Sequence, residues 1–233
     1  MANKRKYSLF ISSTYEDLVS ERQAILGVAL ENDFIPVGME QFGSHPSDKW
    51  ELITKMIDEC DAYLLVIGGR YGSVDDDGVS WTEREYDYAR QKRMPIISLV
   101  RKRSSITEDK MDLGKDKYDL EKKLDAFRKR VMGENQNVGF FSDEGSLKYE
   151  TGKGCHNTKE YLRNSNSGWV KYSDVQSIIN EDRKQYSQSN AEVIDALSNA
   201  VSVLNQKVLD LDTRTTWHKM EPLSEKDINE IFE

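Results

Sequence analysis

The chain of 233 residues is 37% hydrophobic and 32% charged, so it can bury one substantial core and a small additional element. Its formal net charge of −8 argues against a nucleic-acid-binding protein, because such proteins carry a basic surface. No run of residues is apolar and long enough to cross a membrane, and the basic start lacks the apolar segment typical of a secretion signal.

The two cysteines predict a reduced, cytoplasmic protein, since Cys60 and Cys155 lie far apart in the sequence. Cys155 is followed by His156, but no second Cys or His pair completes a four-ligand site. We therefore expect no bound metal.

Apolar runs of strand length alternate with segments of helical periodicity over the first 142 residues. The predicted strands are 7–12, 34–37, 62–67, 95–100 and 138–141. Helices are predicted between them, and the second carries Trp50, Ile53 and Ile57 on one face. This alternation predicts an α/β protein with a flavodoxin-like, doubly wound parallel sheet of five strands in the order 2-1-3-4-5.

Serine residues mark three of the predicted helix starts. Ser13 with Glu16, and Ser80 with Glu83, have the spacing of a capping box, in which the two side chains satisfy free amides of the first turn. Ser47 is expected to cap the second helix.

Beyond residue 142 the pattern weakens. We interpret residues 143–172 as a loop or insertion between a domain of residues 1–142 and a helical C-terminal extension of residues 173–233. Apolar residues of the extension alternate at spacings of three and four: Ile194, Leu197, Val201, Leu204, Val208 and Leu211. Three heptads are enough for a short coiled-coil seam, but a terminal helix packed on its own domain has the same pattern.

The predicted strand order places the first and third strands side by side, with their following loops diverging to form a crevice. The crevice would be lined by Ser12, Ser13 and Thr14 on one side and by Gly68, Gly69, Arg70, Tyr71 and Gly72 on the other. Glycines let a backbone approach and cradle a phosphate, and an arginine suits bidentate phosphate contact. The alternative is a tight turn with an incidental arginine.

Helix geometry separates two nearby glutamates. Glu83 would complete the capping box, whereas Glu85 lies four residues after Trp81 and so shares its helical face. A carboxylate beside an indole at the mouth of the crevice would be partly desolvated, with a raised pKa. This environment suits general acid/base or nucleophilic work at a sugar carbon. An exposed surface glutamate is the alternative.

Several motifs, in order, carry a resemblance to a known family. They are residues 10–18 (FISSTYEDL) with Glu21-Arg22, residues 36–40 (PVGME), 57–61 (IDECD) and 67–73 (IGGRYGS). Over residues 5–141 the chain resembles a bacterial TIR-like domain family, long known as a domain of unknown function. Its wider superfamily includes nucleoside deoxyribosyltransferase-like enzymes and shares the flavodoxin-like fold.

The resemblance implies a catalytic residue. Enzymatic TIR domains cleave NAD+ at the nicotinamide–ribose bond, and their catalytic glutamate lies four residues after a tryptophan at the start of the third helix. A strand containing Pro-Ile follows. Trp81, Glu85 and Pro95-Ile96 match this pattern, so the resemblance implies that Glu85 is catalytic.

The resemblance also implies the substrate contacts. Ser13 and Thr14, beside Ser12, would face the ribose or the pyrophosphate. Residues 38–42 would begin a loop that contacts a neighbouring subunit, and the assembly residues would be Met39, Glu40, Gln41 and Phe42.

Our leading hypothesis is an NAD+ glycohydrolase or cyclase acting in bacterial anti-phage signalling, with NAD+ as substrate and no cofactor. Arg70 would hold the pyrophosphate, and Tyr71 and Trp81 would wall the site. We expect a homo-oligomer that binds neither nucleic acid nor membrane, and a partner effector protein is a further expected partner. One alternative is a non-catalytic module that self-associates or recruits an effector, and another is a nucleoside deoxyribosyltransferase-like enzyme.

Overall fold

The computed structural model describes residues 5–38, 49–134, 137–165, 167–172, 174–175 and 191–212. The chain forms two compact units, Ala2–Trp169 and Val170–Glu233. Ser47 and residues 39–42 lie outside the described residues, so the predicted helix cap and assembly loop stay predictions.

The first unit contains one five-stranded sheet. Its strands are β1 (Tyr7–Ser13), β2 (Phe34–Val37), β3 (Ala62–Ile67), β4 (Ile96–Arg101) and β5 (Val138–Phe141). They are ordered β2-β1-β3-β4-β5, and every neighbouring pair is parallel. The predicted flavodoxin-like fold class and strand order are confirmed.

The described residues contain six helices. They are α1 (Val19–Glu31), α2 (Lys49–Asp58), α3 (Trp81–Gln91), α4 (Lys117–Glu134), α5 (Glu144–Leu162) and α6 (Ala191–Asp212). Two short 3-10 turns, Arg103–Ser105 and Glu108–Lys110, lie between β4 and α4.

Both faces of the sheet are covered, which is why its strands read as continuous apolar runs. One core cluster contains Ile25 of α1 and Leu147 of α5, and the other contains Ile53 of α2, Tyr86 of α3 and Phe127 of α4. All six residues of β3 are buried between these clusters. Ile57 is fully buried and Trp50 packs against the second cluster, as the one-sided pattern of α2 predicted.

The interpretation of residues 143–172 as a loop is wrong over Glu144–Leu162, which form α5. Asp143 and Ser146 make a complete capping box at its start. The buried stripe consists of small and polar residues as much as apolar ones: Leu147, Thr151, Gly154, Cys155, Thr158 and Leu162. Thr151 donates its hydroxyl to the Leu147 carbonyl at 2.7 Å, so a polar residue is satisfied inside the helix. The small and polar residues of α5 therefore led to the prediction of a loop where the chain forms a core helix.

The expected capping box at Ser13 is also wrong. Helix α1 begins at Val19, its N-cap position is Leu18, and no side chain caps it. Ser13 is instead the last residue of β1, where its hydroxyl donates to the Thr14 carbonyl and accepts from Arg22. The strand continues through the serine because Ser13 pairs with Val66 in β3.

The second unit contains α6, a helix of 22 residues. It agrees with the helical C-terminal extension predicted for this part of the sequence. None of the described helices is long and apolar enough to span a bilayer.

Two glycines of α5 give a stability prediction. A Cβ at Gly154 would lie 2.5 Å from Cγ2 of Ile97, a buried and stiff β-branched side chain, whereas a Cβ at Gly152 would meet only Val28 Cγ1 at 3.8 Å. We expect Gly154→Ala to lower the free energy of unfolding by about 1–3 kcal/mol. The matched variant Gly152→Ala should raise it by about 0.5–1 kcal/mol, because alanine is the better helix former. Urea unfolding measures both, and equal effects would contradict the close approach of α5 to β4.

Candidate functional site

The candidate site lies where β1 and β3 end side by side. Ser12 is paired with Leu65 and Ser13 with Val66, so both strands reach the same edge of the sheet. Strand order reverses at this position, where open α/β sheets bind ligands. The predicted neighbourhood of the loops after β1 and β3 is therefore present.

A buried hydrogen bond joins β1 to α3 at this edge. The Ser12 hydroxyl donates to Oε2 of Glu85 at 2.5 Å, and the two residues are only 2% and 7% exposed. A hydroxyl donor stabilises the charged form of a carboxylate and fixes its direction. The fold thus brings Ser12 and Glu85, both predicted site residues, into direct contact.

Glu83 and Glu85 have separate environments, but the predicted capping box of Ser80 and Glu83 is wrong in its second half. The Ser80 side chain accepts from the Glu83 amide at 3.1 Å and thereby starts α3. The Glu83 carboxylate accepts from the Tyr71 hydroxyl at 2.6 Å and from Arg130 at 2.5 Å, instead of returning to Ser80 as in a complete capping box. Glu83 is thus employed in holding α3 to its neighbours.

The arginines of α3 pair with other acids. Arg84 forms ion pairs with Asp75 and Asp77, and Arg90 lies 3.8 Å from Glu134. Both arginines of α3 thus have acidic partners outside that helix.

Tyr63 lies in the same buried environment and was missed by sequence reasoning. Its pKa is raised well above the ordinary value, first by complete burial and then by the charge of Glu85. Its ring stacks on Phe10 at a centroid distance of 5.7 Å. The available signal was a single hydroxyl in the otherwise apolar strand β3. Glu85 therefore lies in a low-dielectric setting, where electrostatic interactions are strong.

Aromatic side chains line the start of α3. Trp81, one turn before Glu85, lies 6.2 Å from the Trp50 ring at a tilt of 42°. Trp50 in turn meets the edge of Tyr88 at 5.9 Å. The aromatic wall predicted beside Glu85 is thus built mainly from α2 and α3.

Tyr71, predicted to help wall the crevice, belongs to the core instead. It is 4% exposed, and its hydroxyl donates to Glu83. Burial and the neighbouring Glu83 carboxylate raise the pKa of Tyr71 to about 12.

The amides after β3, predicted to cradle a phosphate, contact carboxylates of the chain itself. The N–H groups of Gly69 and Arg70 donate to Oδ2 of Asp17 at 3.0 and 3.3 Å. The Tyr71 N–H donates to Oδ2 of Asp112 at 2.6 Å. Successive backbone amides of this kind often bind an anion. Here the bound anions are the carboxylates of Asp17 and Asp112.

Gly68 and Gly69 are both explained by the close approach of other parts of the chain. A Cβ at Gly68 would lie 2.3 Å from Oδ2 of Asp17, and one at Gly69 would lie 2.3 Å from the Lys110 carbonyl oxygen. Glycine is thus needed at both positions for the approach of the protein's own chain. These contacts favour the alternative of a structural turn for this loop.

The remaining predicted contacts border the same loop. Arg70 forms an ion pair with Glu16, which is 74% exposed, and donates to the Asp109 carbonyl at 3.3 Å. Thr14 faces Gly72, whose φ is +85° and whose Cβ would lie 2.7 Å from Thr14 Cγ2. The Arg70 side chain is 20% exposed, so an outside anion would compete with Glu16 for it.

Asp17 gives a testable prediction. It is 2% exposed, and burial, the largest cause, raises its pKa above 3.8 against the lowering by Thr14 and the Gly69 amide. We expect Asp17→Ala to lower the free energy of unfolding at pH 7 by about 1–3 kcal/mol, because two amides lose their acceptor. Asp17→Asn keeps a carbonyl acceptor and should cost less.

The pH dependence of the free energy of unfolding separates the effect of the Asp17 charge from that of its hydrogen bonds. A carboxyl whose pKa is higher in the folded state contributes less stability as the pH rises through that pKa. Urea unfolding between pH 4 and pH 7 should therefore show wild type losing stability relative to Asp17→Asn. The exposed control Asp76→Ala should change stability by less than about 0.5 kcal/mol. A pH-independent difference between wild type and Asp17→Asn would contradict the burial effect.

The family match reported below lies within the first unit. A solved structure, the activated Roq1 resistosome directly recognizing the pathogen effector XopQ (TIR domains), is similar at 12% identity over 76% of this chain and 99% of that chain, with a TM-score of 0.35. No curated protein matches the chain. The family described as "Domain of unknown function (DUF4062)" matches residues 8–155, a stretch that runs from β1 into α5. The chain belongs to this DUF4062 family.

Proposed function

We propose that the protein is a TIR-like enzyme that cleaves NAD+ at the nicotinamide–ribose bond. The observation that carries the proposal is the buried Glu85 carboxylate, hydrogen-bonded to Ser12 at the carboxyl edge of the sheet and placed one helical turn after Trp81. The same glutamate is the one that the sequence resemblance selects. Flavodoxin-like sheets bind ligands at this edge.

Glu85 would act on the ribose of the nicotinamide half. The C1′–N bond breaks with its electron pair passing to the nicotinamide ring nitrogen, so nicotinamide leaves neutral and the sugar becomes an oxocarbenium ion. A fixed carboxylate stabilises this positive charge or captures C1′ transiently. Water then attacks C1′ and releases a proton to give ADP-ribose, or an internal nucleophile of the substrate gives a cyclic product.

Neighbouring residues would orient the substrate. Ser12 is a positioning residue, because its hydroxyl fixes Glu85. Trp81 offers an indole surface for stacking. Arg70 would hold the pyrophosphate by replacing Glu16 with a phosphate, and that exchange costs little because an ion pair with so exposed a partner contributes only about 0–1 kcal/mol.

Assembly and biological setting extend the proposal. Residues 39–42 would complete the site against a neighbouring subunit. Activity in bacterial anti-phage signalling would be triggered by self-association or by a partner effector. These elements rest on the resemblance of the sequence motifs to TIR-like domains.

The structure also favours a second candidate, a non-catalytic interaction module. Glu85 is nearly buried, and Asp17 and Asp112 occupy the amides after β3 that would otherwise be open to a phosphate. Both features are expected of a protein whose site residues serve the fold. The enzyme and the module differ in one measurable property, the turnover of NAD+.

Turnover is measured as nicotinamide released from NAD+ by the purified full chain, at dilute and concentrated protein. We expect Glu85→Gln to lower the rate by about 100-fold or more, because the charge that stabilises the transition state is removed while the side-chain shape is kept. Asp87→Asn is the matched control, since it removes a carboxylate of α3 that pairs with Arg130. It should leave the rate within about twofold.

Other outcomes assign the alternatives. Equal turnover by wild type and Glu85→Gln would exclude Glu85 as the catalytic residue. No turnover by wild type at any concentration would favour the interaction module. Cleavage of nucleosides with NAD+ left intact would favour the deoxyribosyltransferase-like enzyme.

A further inference from the structure

Helix α6 carries an uninterrupted heptad pattern. In heptad letters, position a is occupied by Ile194, Val201 and Val208, and position d by Leu197, Leu204 and Leu211. The 22 residues of the helix extend about 33 Å, at 1.5 Å per residue. No polar residue interrupts either position, so the stripe is continuous over three heptads.

Three of the four stripe side chains that the structure describes are exposed in the single chain, and the fourth, Val201, is partly buried. Leu197 is 54% exposed, Leu204 49% and Val208 60%. Single exposed apolar residues are common on protein surfaces, but an aligned row along one helix marks an interaction surface.

The residue types at the two positions identify the partner. We propose that α6 pairs with α6 of a second copy of this chain in a parallel, two-stranded coiled coil. β-Branched residues at position a combined with leucine at position d favour two parallel strands, because each side-chain shape fits the packing angle of its own layer. Here all three a positions are Ile or Val, and all three d positions are Leu.

Charge at the flanking positions agrees with the parallel direction. Position g of one helix lies beside position e of the following heptad in a parallel partner, and such pairs set partner choice and direction. In the sequence, Lys207 stands at g and Asp212 at the next e, so the proposed parallel pair would bring opposite charges together. An antiparallel pair brings g positions together, which would put Lys207 beside Ala200 and leave it without an acidic neighbour.

The pairing extends beyond the proposed enzymatic function and does not depend on it. A parallel coiled coil relates the two copies by a two-fold axis along the seam, so each chain contributes the same surface. The association is therefore closed at two copies through α6.

The first test is the mass of the full chain by sedimentation equilibrium between about 1 and 100 µM, a range that covers weak and moderate association. Wild type should approach twice the chain mass of 26.9 kDa. Leu204→Glu should raise the dimer dissociation constant at least about 100-fold, because it buries two facing charges in one layer. Since Leu204 is half exposed in the single chain, the variant should fold, which circular dichroism checks.

Gln206→Glu is the matched control. Gln206 lies two residues away at position f, on the outer face of the helix, and is exposed. The Gln206→Glu variant adds the same charge outside the seam, so the dissociation constant of its dimer should stay within about threefold of the wild-type value. A wild-type monomer throughout the range, or a Leu204→Glu dimer as tight as wild type, would overturn the proposal.

The second test determines the direction. In a parallel pair, residue 208 faces residue 208 of the other copy across the axis, whereas an antiparallel pair puts it opposite residue 197. Val208→Cys should therefore give a disulfide-linked dimer on mild oxidation, and adding Leu204→Glu should abolish it. Wild type, oxidised under the same conditions, shows whether Cys60 or Cys155 forms an intermolecular disulfide by itself. A Val208→Cys dimer by mass that fails to cross-link would overturn the parallel arrangement.

Discussion

The candidate site depends on how the carboxyl ends of the central strands are held. A buried arginine of α4, Arg128, donates to the Gly68 carbonyl after β3 at 3.2 Å and also to the Arg101 carbonyl at the end of β4. Burial lowers the pKa of this guanidinium, yet an arginine stays charged at any physiological pH. One cation thus satisfies carbonyls of two neighbouring strand ends, and the loop after β3 is built on that fixed point.

Carboxylates complete the same edge from the opposite side. Asp17, in the turn before α1, accepts from the two amides that follow Gly68, and Glu21 accepts from Lys110 at 2.9 Å and from Arg101. Buried polar groups without partners are costly, so the edge is fixed by mutual satisfaction rather than by apolar packing. The result is a set of mutually paired polar groups at this edge of the sheet. Asp17 occupies the amides to which a ligand phosphate could otherwise bind.

The fold was predictable because its signals are local. Strand-length apolar runs and the spacing of Ile53 and Ile57 follow directly from burial on one face, and the spacing from Trp81 selected Glu85 as the glutamate beside the crevice. Helix α5 was missed because its buried stripe uses residues such as Thr151 and Gly154, which pack well but read as loop composition.

The partners of the loop after β3 could not be predicted in the same way. Asp17 and Gly69 are 52 residues apart in the sequence, and no periodicity links an acid in one turn to the amides of another. A glycine-rich loop has the same sequence whether it approaches a ligand or its own chain. Only the positions of the atoms distinguish the two cases.

The contact between Trp50 and Trp81 gives the protein an internal optical reporter. Two indole rings 6.2 Å apart couple electronically, and Trp81 lies one helical turn from Glu85. A molecule that settles against Trp81 alters this coupling and changes the near-ultraviolet circular dichroism and the fluorescence of the pair. Binding of a molecule against Trp81 can therefore be followed without a label, and independently of any chemical conversion.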